Sequence, residues 1–93
     1  MTVSLLYLDL RVLGCQSSRE KRRLMRAIMD KLRQHFNVSV AEVDRDSGPG
    51  LARLAVAALA PARREAREAL GRVADAVAVH PRVELLRQEI IEV

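Results

Sequence analysis

Val3-Ser4-Leu5-Leu6-Tyr7-Leu8-Asp9-Leu10-Arg11-Val12 is the stretch on which the fold turns. Its apolar side chains recur at every second position. Leu6, Leu8, Leu10 and Val12 share one face, and Leu5, Tyr7, Asp9 and Arg11 share the other. That alternation belongs to a strand with one buried and one mixed face. The rest of the chain must supply partners for its edges and a cover for its apolar side.

The cover follows at once. Ser17-Ser18-Arg19-Glu20 reads as a capping box, with Ser17 accepting from the Glu20 N–H and Glu20 reaching back to the Ser17 N–H. A helix is expected from there to about His35. Leu24, Met25, Ile28, Met29, Leu32 and Phe36 form its apolar stripe. Residues 37–44 are rich in β-branched side chains and read as a second strand. Arg45-Asp46-Ser47-Gly48-Pro49-Gly50 is a turn, and residues 51–59 return as a third strand. Pro61 suits the first turn of a second helix, whose stripe is Ala66, Ala69, Leu70, Val73 and Val77. His80-Pro81 ends that helix, and residues 83–93 close as a fourth strand.

The order is βαββαβ. Two right-handed crossovers put both helices on one face of a four-stranded antiparallel sheet. The expectation is one α+β domain over residues 1–93, a ferredoxin-like sandwich whose other sheet face is open. Apolar residues make up 49% of the chain, enough for a packed core and too many for a disordered one. Tyr7 and Phe36 are the only aromatic residues, so the core is aliphatic.

A cytoplasmic setting is expected, because the single cysteine, Cys15, has no internal disulfide partner. The start Met1-Thr2-Val3-Ser4 lacks the basic region of a signal peptide. No apolar run is long enough to span a bilayer, so no membrane partner is expected.

Charge is distributed unevenly. Residues 19–33 hold seven cations against Glu20 and Asp30, a net of +5, whereas the whole chain carries +4. At 100° per residue Arg19, Arg22, Arg23, Arg26 and Arg33 gather opposite the apolar stripe. They form a track about 21 Å long at 1.5 Å per residue, which reaches several phosphates. Arginine suits that role because its planar fork bonds phosphate oxygens in pairs. Arg19, Lys21, Arg22 and Arg23 also occupy the first turns, where the helix dipole disfavours cations. The candidate nucleic-acid-binding set is therefore Arg19, Lys21, Arg22, Arg23, Arg26 and Arg33. The same pattern also fits a solvated face in a protein whose cations are nearly all arginine. Single-strand readers of this topology stack bases on sheet aromatics, and here the open face offers at most Tyr7. Backbone and shape recognition of RNA is the expected mode.

Other constellations point less clearly to chemistry. Cys15 precedes a helix N-terminus but has no resolving cysteine. Glu42, Asp44 and Asp46 alternate where a hairpin end is usually charged, a weak suggestion of a divalent cation or of a small hydrolase. His35 and His80 are far apart in sequence, and each reads as a residue at a helix C-terminus. No glycine-rich phosphate loop and no Cys-x-x-Cys is present. No catalytic residue, cofactor or metal is expected. The open-face residues Leu5, Tyr7, Asp9 and Arg11 are the candidate interface of a homodimer or of a contact with another protein.

Gln16-Ser17-Ser18-Arg19-Glu20-Lys21-Arg22-Arg23 and Phe36-Asn37-Val38-Ser39-Val40-Ala41-Glu42-Val43-Asp44 resemble the bacterial YlxP-like family, short proteins long filed as a domain of unknown function. The family pattern runs approximately Gln-Ser-Leu-Lys-Glu-Lys-Arg, then Phe-Asn-Val-Ser-Val-Ala-Glu-Val. The second motif matches throughout. In the first, Ser18 stands in place of Leu and Arg19 in place of Lys. Family members often carry a Trp before the third strand, and Ser47-Gly48-Pro49-Gly50-Leu51 has none. The resemblance implies a ferredoxin-like fold and no established enzymatic activity. It also implies a ribosome-associated role in small-subunit maturation, with Lys21, Arg22 and Arg23 as the motif cations. The expected partner is ribosomal RNA or the small ribosomal subunit.

Overall fold

The computed structural model describes residues 1–43 and 48–93. The elements are β1 (Thr2–Val12), α1 (Ser18–His35), β2 (Ser39–Val43), β3 (Leu51–Ala60), α2 (Arg63–Ala78) and β4 (Val83–Glu92). They build one sheet in the order β2-β3-β1-β4, every neighbouring pair antiparallel. This is the expected ferredoxin-like α+β sandwich.

The alternation in β1 decides the layering. Leu6, Leu8 and Leu10 are fully buried and Val12 nearly so, beneath the helices. Leu54 and Val56 of β3 lie opposite Leu8 and Leu6 and point the same way. Met25, Ile28 and Leu32 of α1 and Ala66, Leu70, Val73 and Val77 of α2 close the core from above. The buried alanines Ala66 and Ala74 keep α2 close to the sheet, and α2 lies over β1, β3 and β4. Burying one such leucine contributes about 1.5–3 kcal/mol, so this aliphatic layer is the main support of the fold.

Two strand boundaries differ from the expected ones, and one strand is interrupted by a bulge. β2 begins at Ser39, not Asn37, because the Val38 N–H bonds back to the Phe36 carbonyl (3.0 Å) before the ladder starts. Asp44, expected as its last residue, lies outside the described residues. β3 runs on to Ala60, so Pro61 stands before the cap instead of in the first helical turn, and Ala62 caps α2 with no side-chain bond. β4 carries an extra residue. Asp9 faces Arg87 while Leu10 faces Leu85, which leaves Leu86 as a bulge.

Candidate nucleic-acid interface

Helix α1 starts where its cap directs. The Ser17 hydroxyl accepts from the Glu20 N–H at 3.2 Å. The return bond differs from a reciprocal capping box, since the Glu20 carboxylate accepts from the Gln16 N–H at 3.1 Å instead of from Ser17. The extended Ser17 backbone (φ −145°, ψ 159°) carries the chain into the helix. Together these bonds fix the end of α1 that bears most of the arginines.

Arg19, Arg22, Arg23 and Arg26 are all exposed, spaced i, i+3, i+4 and i+7 along one side of α1. None has a carboxylate or hydrogen-bond partner among the described residues. Four guanidinium groups therefore project from about two turns of helix with no compensating partner among the described residues.

Two residues of the expected set behave differently. Lys21 is 2% exposed, so it does not lie on the basic face. It sits four residues before Met25 and seven before Ile28, on the apolar stripe. Its ammonium donates to the carbonyls of Gly48 (2.6 Å) and Leu51 (3.0 Å). Its role in the fold is to hold the β2–β3 connection, and the family-motif cations left at the surface are Arg22 and Arg23. Arg33 is half exposed but engaged. Its guanidinium reaches Asp30 at 3.1 Å and donates to the Val40 carbonyl at 2.9 Å, tying the last turns of α1 to β2. The free track is thus Arg19 to Arg26, about 10 Å long.

On the open sheet face the expected interface residues find partners within the chain. Asp9 lies 3.0 Å from the Nε of Arg53, in a close ionic contact without an aligned hydrogen bond. The Arg53 guanidinium stacks over the Tyr7 ring, 4.8 Å from its centroid. Arg11 donates to Glu84 at 2.6 Å. Tyr7, the one aromatic of this face, is therefore capped by a cation and is poorly placed to stack on a base. Leu5 is half-buried beside Ala57 and Ile91 in the cross-strand register.

Of the acidic trio, Glu42 is half-buried opposite Leu54, and Asp44 and Asp46 lie outside the described residues. Among the described residues no group of three or more potential ligands gathers for a metal, and no helix is long and apolar enough to cross a membrane. Cys15 is half-buried, 3.6 Å from the Arg82 guanidinium, which also donates to the Leu13 carbonyl (3.1 Å). The turn before it places Gly14 at φ +76°.

The structure also gathers groups that sequence reasoning missed. Ser4, fully buried, donates to Glu92 at 2.7 Å, and Arg67 donates to the other oxygen of that carboxylate at 2.7 Å. The Ser4 bond first, then Arg67 and Arg63, hold the Glu92 carboxyl below its ordinary range. Only the register that sets Ser4 opposite Glu92 reveals this. His35 and His80, which looked unrelated, line the same cleft between the helices.

Among known proteins, the family described as protein of unknown function (DUF503) matches residues 3–90 of the chain. No curated protein matches it.

Proposed function

The chain belongs to the DUF503 family of proteins of unknown function, and from its own surface we propose that it is a non-enzymatic RNA-binding protein of the cytoplasm that grips phosphates through α1. One observation carries this reading. Arg19, Arg22, Arg23 and Arg26 stand exposed, and unpaired among the described residues, along one side of the first three turns of α1, and Arg19 lies in the first turn, where the dipole opposes cations. Helix stability does not select that placement, whereas phosphate binding does. The capped Tyr7 favours recognition of RNA by backbone and shape over base stacking. The resemblance of the Gln16–Arg23 and Phe36–Asp44 segments to the YlxP-like pattern supports a ribosomal partner. The proposed setting is maturation of the small subunit.

Sedimentation of cell extract at low and high salt, with immunodetection of the protein, tests this. Co-sedimentation with small subunits is expected at low salt and loss of it at high salt. A variant with Arg19, Arg22, Arg23 and Arg26 changed to Glu is expected to stay in the soluble fraction while keeping its fold. Undiminished co-sedimentation of that variant overturns the assignment.

A second reading rests on the uncovered sheet face. Ala41 of β2 faces Ala55 of β3, and Ala57 of β3 faces Leu5 of β1, with exposed Leu59 and Ile91 at the margins. Such a shallow apolar strip suits a second copy of the chain. Mass that rises with concentration, with no salt-sensitive RNA binding, favours this reading over the first.

A further inference from the structure

Between α1 and α2 lies a cleft of about 250 Å³. Its floor is Ile28, Leu32 and Val77, each less than 5% exposed, and the half-buried Phe36 forms a wall. Its rim carries Lys31, His35 and His80, and exposed Ala76 also lines it. Every polar side chain in this lining is a base, and no lining residue is acidic.

The protonation of the rim follows from its hydrogen bonds. His80 Nδ1 accepts from the Arg82 N–H at 3.0 Å, so in the neutral ring the proton sits on Nε2, a donor with no partner among the described residues. Burial, then Lys31 and Arg82, lower the pKa of His80 and so favour that neutral form. His35 Nδ1 lies 2.9 Å from the Lys31 carbonyl, which can only accept, so this nitrogen carries the His35 proton. The Lys31 ammonium has no partner among the described residues. An apolar floor is thus rimmed by a cation and an N–H donor, neither with a partner among the described residues.

We propose that this cleft binds a small amphipathic anion, a carboxylate carried on an aliphatic or aromatic body. The body would lie on Ile28, Leu32, Phe36 and Val77, and the carboxylate would meet Lys31 and His80. A metal cation fits less well, because the lining offers no carboxylate and Lys31 repels it. The cleft is smaller than the ~300–1,000 Å³ typical of drug-sized ligands, so a medium-length chain such as octanoate is an apt probe. This site is separate from the arginine track and stands or falls independently of RNA binding.

The test titrates the full chain with octanoate, octanol and octyltrimethylammonium, following the His35 and His80 ring signals and the Ala76 methyl by NMR. Octanoate is expected to shift all three saturably, octanol to bind more weakly, and the cation to leave them in place. Lys31→Met should weaken octanoate binding about tenfold, the scale of one charge-assisted hydrogen bond. Ala76→Phe, at an exposed helical position, should fill the cleft and abolish the His35 and His80 ring shifts without touching the core. Absence of saturable shifts, equal binding of all three probes, or binding that survives Ala76→Phe overturns the proposal.

Discussion

The Lys21 ammonium lies 2.6 Å from the Gly48 carbonyl, so a buried cation latches the first helix to the β2–β3 connection. A second bond, to the Leu51 carbonyl, fixes where β3 begins. A charge this buried persists only where polar partners offset its lost hydration. Lys21→Met keeps the apolar stem but removes the donor shared by the two carbonyls. The expected loss is about 1–3 kcal/mol in urea unfolding, whereas Arg22→Ala, on the solvent side, should stay within about 0.5 kcal/mol. Equal stabilities for the two variants would contradict this division of roles.

Salt dependence counts the cations that meet phosphates. With Lys21 inside and Arg33 bound to Asp30 and Val40, four arginines remain. On duplex RNA the slope of log K against log[salt] should be about −3 to −4, using the duplex-DNA coefficient. Each single Arg→Ala change in the track should make it shallower by about one unit. Lys21→Met should leave it unchanged if the variant folds.

Acid should weaken the closure between the two chain ends. The Glu92 carboxyl is held below its ordinary value, chiefly by the Ser4 hydroxyl. A depressed acid stabilises the fold fully above its unfolded pKa and loses that contribution as pH falls through the lowered folded value. The loss therefore begins near pH 4.5, the ordinary carboxyl value, and proceeds downward. Ser4→Ala should raise the Glu92 midpoint, measured by carboxyl carbon NMR, and shrink this acid-dependent part of the stability. An unmoved midpoint would assign the shift to the arginines instead.

His80 works in a higher window. Its pKa lies below 6.5 because burial, Lys31 and Arg82 all disfavour the charged ring. The unfolded chain then binds the proton more readily, so stability falls as pH drops below 6.5 and levels off beneath the folded value. NMR titration of the His80 ring should give a midpoint under 6.5. Lys31→Met should move it upward.

Two glycines should respond to alanine in opposite directions. Gly14 sits at φ +76° in the turn before α1, where an added Cβ finds only ordinary contact with Arg82. The conformational penalty alone should cost Gly14→Ala about 1–2 kcal/mol. Gly71 lies within α2 with no atom within 4 Å of an added Cβ, so Gly71→Ala should stabilise by about 0.5–1 kcal/mol. Thermal unfolding of the two variants checks both signs.

Much of the fold was legible in the chain, because periodicity is a local property. Leu6, Leu8 and Leu10 announce a half-buried strand, and Met25, Ile28 and Leu32 a helix lying on it. The element order then leaves few ways to close the sheet. The arginine track was legible for the same reason, since spacing of three and four places residues on one side of a helix. Lys21 was misplaced because its charge outweighed its position, although its spacing from Met25 already assigned it to the apolar stripe.

By itself, then, the sequence determined the two periodicities, the cap at Ser17 and the concentration of charge in one helix. Only the tertiary structure decided which cations remain free. Lys21 and Arg33 are engaged by the carbonyls of Gly48, Leu51 and Val40, and Tyr7 is capped by Arg53 across the sheet. The same is true of the Ser4–Glu92–Arg67 cluster and of the cleft shared by His35 and His80. These pairings join residues distant along the chain through strand register and helix docking. No local pattern encodes them, because the free energy of each contact exists only once the layers have closed.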